Sequence, residues 1–409
     1  MKILHTADWH IGKKLENFSR LAEQKDVLSE ICAIADEEDV NAIIIAGDLF
    51  DNFNPASEAT ELFFKTLKNL SNNGNRPVIA ISGNHDSPER IESPDSLARE
   101  CGIVFMGFPH SKPNTFSLDS GLSLIKTEPG FLEFKIPNCN EPLRVIATPY
   151  ANEHRIKTYL NQESKEQELR DFLSEHWNSL YNAHCDSKGV NILATHLFVI
   201  PQGSEVKEEA EDEKPIVHVG GAQAIYTKNF PPEIQYVALG HLHRNQNIGT
   251  DKQAIVYSGS PLSYSFAEAN QQKYVSIINV KAGEQAKVSH IPLKKGKRLL
   301  RLKAENITDA VDQLSANQDS LIELTIKSDT YLTAADRKLL NESHQNIITL
   351  IPMVNITSSD NDLEQKTINP TLERAQLFKD YFEHVHGNKP NDEIIDLFNE
   401  VISNNSSNI

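Results

Sequence analysis

Cysteine is scarce in this chain of 409 residues: Cys32, Cys101, Cys139 and Cys185 are scattered and form no CxxC pair. That argues against a disulfide framework and against a thiolate zinc site. Long apolar runs are missing as well, and none approaches the ~20 residues that span a bilayer. The start, MKILHTADWH, turns polar at His5 and Asp8, too early for a signal-peptide core, so a cytoplasmic chain with reduced thiols is expected. No GxxxxGK[ST] phosphate loop occurs, so no ATP site of that kind is present. Positive charge is in deficit. Forty Lys+Arg stand against 57 Asp+Glu, a net charge of −17, which excludes coating DNA or anionic lipid through bulk charge. Any nucleic-acid contact must be local, metal-assisted or shared with a partner. What remains is ordinary: 39% hydrophobic and 24% charged residues fit a folded protein, and at about 150 residues per domain the length fits two or three domains.

Strand-like runs at residues 2–7, 42–46, 78–81, 103–106, 144–147, 190–194, 236–239 and 254–257 are interleaved with amphipathic helices at 19–38 and 57–70. This alternation predicts an α/β layered domain with a substantially parallel sheet in its first part. The composition changes near Lys281, where a strand–helix–strand pattern is expected up to Val354. A polar linker then covers 355–369, and two short helices, 370–386 and 392–403, follow it. The expected organisation is therefore 1–280, 281–354, 355–369 and 370–409.

Five of the strand-like runs end in residues that bind metal or move protons: Asp8 and His10, Asp48 and Asp51, Asn84 and His85, His196, and His241 and His243. In open α/β sheets ligands bind beyond the carboxyl ends of the strands, so these five loops are expected to converge. Oxygen and imidazole donors without thiolate suit manganese, iron or zinc better than calcium or magnesium. Seven protein groups are too many for one ion that must also hold water and substrate. Two ions about 3.5–4 Å apart use them all. Asp48 is the natural bridge, at the end of AIIIAG with Gly47 permitting a sharp turn. His5, inside the first strand, reads as a core histidine. Singly, each of these residues could be a turn or cap residue; together the matched set argues for one site.

The motifs DWH, GDLFD, GNHD, TH and GHLH, in that order, resemble the signature of the calcineurin-like metallophosphoesterase superfamily. The flanks ILHTADWHIGKKLE, AGDLFDNFNPAS, ISGNHDSPERI, VALGHLHRNQ and YSGSPLSYSFAEA are similar to a narrower family, the SbcD-type bacterial nuclease subunits. The resemblance implies a layered α/β/β/α sandwich over 1–280, a smaller α+β capping domain over 281–354 and a C-terminal helix pair. It implies one ion held by Asp8, His10, Asp48 and His243 and a second by Asp48, Asn84, His196 and His241. The ions would be two manganese, with magnesium as a substitute. His85 would contact the scissile phosphate or protonate the leaving oxygen, with the Asp51 carboxylate orienting it and holding the imidazole protonated near neutral pH. Archaeal relatives place a histidine where Asp51 stands. The implied activity is exonuclease on duplex ends and endonuclease on single strands and hairpins, in DNA repair, recombination and replication, by a nucleoid-associated homodimer. The implied partner is an SbcC-type coiled-coil ATPase docked on the apolar faces of the helix pair, Leu372, Leu377, Phe378, Tyr381, Phe382 and Val385 in one and Ile394, Ile395, Phe398, Val401 and Ile402 in the other. Two other readings stay open: a phosphoesterase for small diesters or phosphoproteins on the same site, and a non-catalytic scaffold for DNA ends.

Two charge runs stand apart. Lys294, Lys295, Lys297, Arg298, Arg301 and Lys303 form a basic stretch without acid, which reads as a solvated linker edge before it reads as a DNA backbone track. The stretch 205–214, net −4 from six acids and two bases, reads as a surface loop.

Overall fold

The run Ala42–Ala46 (AIIIA) contains no polar residue because both of its faces are covered. Ile43 and Ile45 pack with Val27, Leu28 and Ile31 of the helix Leu21–Glu37 and with Phe63 and Leu67 of the helix Ser57–Leu70. Ala42, Ile44 and Ala46 point the other way, into a core shared with Leu132, Val145, Ile192 and Ala238 of a second sheet. The far face of that second sheet carries Ile146, Leu193 and Val237 against Leu173 and Trp177 of the helix Lys165–His184. The layers are therefore helix, sheet, sheet, helix, the expected sandwich.

We describe the chain from a computed structural model, for residues 1–156, 165–203, 224–328 and 332–354, with 377–379, 381, 382, 390, 395 and 398. The first sheet runs in the order Lys287–Pro292, Tyr274–Asn279, Lys2–Thr6, Ala42–Ala46, Val78–Ile81, Ile103–Met106. Its last four strands are parallel, and the first two return antiparallel. The second sheet centres on four parallel strands, Leu143–Thr148, Val190–His196, Tyr236–Gly240 and Ala254–Tyr257. Antiparallel strands at Phe131–Lys135, Ser123–Glu128 and Phe116–Ser117 extend its Leu143–Thr148 side.

The first sheet continues to Pro292, beyond residue 280 where the sequence suggests a change of domain. A three-stranded sheet follows, Arg298–Ala304, Ser320–Ser328 and Ile347–Val354, with helices Ile307–Ser315 and Ala334–Ser343. The second of these helices was not expected. It buries only Leu340, so it shows no apolar stripe, and a capping box between Thr333 and Asp336 starts it instead. The helix Lys165–His184 is likewise masked in sequence by its charged positions, although Leu169, Leu173 and Trp177 recur at helical spacing.

The chain divides into two compact units, Met1–Met353 and Val354–Ile409. Within the second, the rings of Phe378 and Phe398 stack at 3.9 Å and 11°. The acidic stretch 205–214 and the linker 355–369 lie outside the described residues, as do most positions of the two expected C-terminal helices. No helix among the described residues is long and apolar enough to cross a membrane.

Candidate metal centre

The strands Lys2–Thr6 and Ala42–Ala46 keep their pairing after they end. The amide of Asp8 donates to Gly47 O at 3.0 Å, that of His10 to Asp48 O at 2.9 Å, and that of Ile11 to Leu49 O at 3.1 Å. The DWH and GDL segments thus run side by side. Asp8, His10 and Asp48 have φ of 54°, 43° and 48°, and His241 has φ 107°. Left-handed backbone at non-glycine residues costs about 1–2 kcal/mol each, and here it turns four side chains toward one point. The two sheets also meet there. A Cβ on Gly240 would lie 1.8 Å from Ala46 O, and one on Gly83 would lie 2.0 Å from Asp48 Oδ1. Only glycine permits these approaches.

All seven expected donors are buried and brought together. Asp48 Oδ2 lies 3.5 Å from His10 Nε2 and 3.3 Å from His196 Nε2. On the first side, His10 Nε2 and His243 Nε2 are 3.1 Å apart, and the Asp8, His10 and Asp48 donor atoms fall within 4.8 Å of one another. On the second, Asn84 Oδ1 is 2.9 Å from His196 Nε2 and 3.1 Å from His241 Nδ1. Asp8 Oδ1 accepts the His241 amide at 2.8 Å and lies 3.8 Å from His196 Nδ1. The Asp48 carboxylate also accepts the His85 amide at 2.9 Å.

The electrostatics favour a cation. Burial pushes the Asp8 carboxyl up to about 7, against the pull of His196 and His243. Burial drives the His10 imidazole well below its usual value, Asp48 notwithstanding. Burial would raise Asp48 too, but His196, His10 and His85 outweigh it and hold that carboxyl well below the usual range. His196 is the counterpart: burial opposes its charge, yet Asp48 and Asp8 lift it to about 9. Asp8 Oδ2, His10 Nδ1 and His85 Nε2 are buried without a hydrogen-bond partner. A buried set of oxygen and nitrogen donors, with one carboxyl reluctant to ionise, fits divalent ions of the manganese, iron or zinc kind. The outer contacts fit as well. His196 Nδ1 donates to Ala46 O at 2.8 Å and His243 Nδ1 lies 3.2 Å from Glu268 Oε1, which turns each Nε2 inward.

His85 and Asp51 are placed differently from the sequence expectation. His85 Nδ1 meets the main-chain carbonyl of Asp51 at 3.0 Å. The Asp51 carboxylate instead pairs with Lys13 at 3.3 Å and lies 3.8 Å from His10 Nδ1. The hydrogen-bond partner of Nδ1 is thus a main-chain carbonyl, while the Asp51 carboxylate stays within 4.8 Å of a His85 ring nitrogen. The loop after Asp48 turns back at residues 51–54, which presents main chain to the histidine. His5 is the core residue expected, with Nδ1 2.8 Å from Tyr236 Oη.

Sequence reasoning missed the bracing groups. Asp86 accepts the amides of Leu49 at 3.0 Å, Phe50 at 2.9 Å and Gly83 at 2.8 Å, tying the GDLF and GNHD loops together. Burial pushes its carboxyl up to about 6. Arg155 donates to Gly83 O and Asp86 O, both at 2.8 Å, and so clamps the segment that carries Asn84 and His85. Behind His243, Glu268 pairs with Lys273, whose ammonium also donates to His243 O at 2.9 Å and Ser260 Oγ at 3.0 Å. Asp86 stands within the GNHD motif and Glu268 within YSGSPLSYSFAEA, so both were legible there; Lys273 carried no motif.

The profile of the calcineurin-like phosphoesterase family matches residues 1–245. A Bacillus subtilis protein, named as the SbcD subunit of the SbcCD nuclease, is 35% identical over 413 residues, covering 98% of this chain and 98% of that protein. The SbcD proteins of Rhodobacter capsulatus and Escherichia coli K12 are each 31% identical. They cover 77% and 83% of this chain, and 75% and 81% of their own lengths.

Proposed function

The chain belongs to the SbcD family of calcineurin-like phosphoesterases, and from that premise we propose that it is a manganese-dependent DNA nuclease acting through two metal ions. The observation that carries the reading is the Asp48 carboxylate, set between His10 on one side and His196 on the other. One ion would be held by Asp8, His10, Asp48 and His243, the other by Asp48, Asn84, His196 and His241. Bound there, such ions supply the charge that draws in a phosphodiester and a water acidic enough to attack it. The rest falls to the chain itself. The Asp51 carbonyl fixes Nδ1 of His85 as the protonated nitrogen, which leaves Nε2 for proton exchange with the leaving oxygen. Asp86 and Arg155 hold the loops in register, so His85 and Asn84 need not reorganise when substrate arrives.

The activity we propose is exonuclease on duplex ends and endonuclease on single strands and hairpins, in DNA repair, recombination and replication. An SbcC-type ATPase would supply the ATP dependence. Its coiled coil would dock on the C-terminal helix pair, and two copies of this chain would form the nuclease head. The Phe378–Phe398 stack supports treating those helices as one unit. The test is manganese-dependent loss of an end-labelled linear duplex by wild type, Asp48→Asn and His85→Ala. Cleavage by wild type that both substitutions abolish is the expected result. A wild type that binds manganese, is given the ATPase and still leaves DNA intact would refute the reading.

A further inference from the structure

The segment 293–299, LKKGKRL, joins the first sheet to the small domain, and its backbone is pinned. The amides of Lys294 and Lys295 each donate to the Glu30 carboxylate at 2.9 Å, and the amide of Lys297 donates to Glu23 Oε2 at 2.8 Å. Gly296 has φ +94°, and a Cβ there would lie 2.3 Å from Leu262 Cδ2, so the segment closes onto Leu262 only as glycine. Leu293 and Leu299 are buried at its two ends. The basic side chains are solvated, as the composition suggests, but the backbone that carries them is fixed. The segment is a fixed loop that turns its apolar residues inward and its cations outward.

Those cations wall one cleft of about 460 Å³, faced by Ser263, Asn270, Gln271, Gln272 and Lys273. No Asp or Glu lines it. Among the described residues, Lys294, Lys295, Lys297 and Arg298 make no ion pair, although Arg301 further along the strand is paired with Glu323 at 2.8 Å. Glu23 is paired with Arg20, which leaves the Glu30 carboxylate, held on the loop's amides, as one negative charge against the loop's four positive ones. Four cations on a rigid wall, one of them Lys297 with its ammonium 5.8 Å over the Phe18 ring, repel one another in the absence of an anion. The cleft also adjoins the candidate metal centre, since Lys273 lines it while its ammonium donates to the carbonyl of His243.

We propose that this cleft grips the sugar–phosphate backbone of DNA beside the metal centre; the proposal rests on the nuclease reading above. The ligand chemistry is phosphate, and the geometry favours a chain of phosphates over a single small one. The converging backbone N–H groups that often cradle a small phosphate are not on offer here, because the amides of residues 294, 295 and 297 are already spent on Glu30 and Glu23. What remains are side-chain point charges spread along five successive residues, suited to tracking a polyanion without reading its bases.

The experiment is fluorescence anisotropy of a labelled duplex with the full chain in chelator, from 50 to 200 mM salt. Wild type is compared with K294Q/K295Q/K297Q, with single Lys295→Gln, and with K65E/K68E on the helix Ser57–Leu70 as a charge control outside the cleft lining. The triple variant is expected to bind at least about tenfold more weakly on unrelated sequences and to lower the slope of log K against log salt by about 2–3. The single variant lowers it by about 1, and the control stays within about twofold, with melting temperature and manganese content tracking wild type throughout. Unchanged affinity and slope in both glutamine variants would overturn the cleft's role. Inorganic phosphate displacing the duplex at equal phosphate concentration would instead mark a small-anion site and overturn it too. If wild type itself ignores duplex DNA yet hydrolyses bis(p-nitrophenyl) phosphate, it is the nuclease reading that fails.

Discussion

His85 is held by the main-chain carbonyl of Asp51, 3.0 Å from its Nδ1, and not by the Asp51 carboxylate. A carbonyl does this work whatever side chain follows the Cα. Asp51→Asn is therefore expected to lower kcat on duplex DNA by less than about tenfold, whereas His85→Gln lowers it by about 10²–10⁴-fold, the usual range for a lost acid or base. Equal losses in the two variants would put the carboxylate back in the mechanism.

Glu268 turns His243 Nε2 into the site by taking its Nδ1 at 3.2 Å, and is itself held by Lys273. Outer partners of this kind change metal affinity by about 10–100-fold. Titration calorimetry with manganese should show that loss for one of two binding events in Glu268→Ala, with partial recovery in Glu268→Gln. Lys273→Met should also cost about 3–5 kcal/mol of stability, because it leaves Glu268 buried without its cation. Two unaltered binding events in Glu268→Ala would contradict this role.

Acid should act on the fold through His5. Burial lowers its pKa from 6.5 to about 3, so the folded chain keeps it neutral while the unfolded chain takes up a proton below 6.5. Its contribution is complete above pH 6.5 and is lost as pH falls toward about 3, at about 1.4 kcal/mol per pH unit. Unfolding free energies measured across that window should fall less steeply in His5→Gln than in wild type by that amount.

Much of the fold was legible because strands buried on both faces read as uninterrupted apolar runs, as in Ala42–Ala46 and Val78–Ile81. The candidate donors stand out in the sequence because each follows such a run. Other features left no local trace. The left-handed backbone of Asp8, His10, Asp48 and His241 falls on residue types that tolerate it, but no sequence pattern marks these four out from other Asp and His. Glu268 finds His243 across 25 residues that include the strand Ala254–Tyr257. The strands at Tyr274–Asn279 and Lys287–Pro292 rejoin the first sheet, although the composition suggested a new domain. The Asp51 contact is made by main chain, which no side-chain pattern encodes.

Removing metal should loosen the molecule around Asp8. With no cation the buried Asp8 carboxyl resists ionisation, being raised to about 7. Ions that bind only the folded state stabilise it by about 2.7 kcal/mol at a hundredfold excess over Kd. Chelator should accordingly lower the melting temperature of wild type by several degrees, and of Asp48→Asn by much less. Equal shifts in the two would mean that the stabilising ion sits elsewhere.

The central claim is that two ions share Asp48. Anomalous diffraction at the manganese edge, from crystals of the manganese-loaded chain, tests it most directly. The account predicts two peaks about 3.5–4 Å apart on either side of the Asp48 carboxylate, one by His10 and His243 and the other by Asn84, His196 and His241. A single peak, or two peaks of which only one touches Asp48, would contradict it.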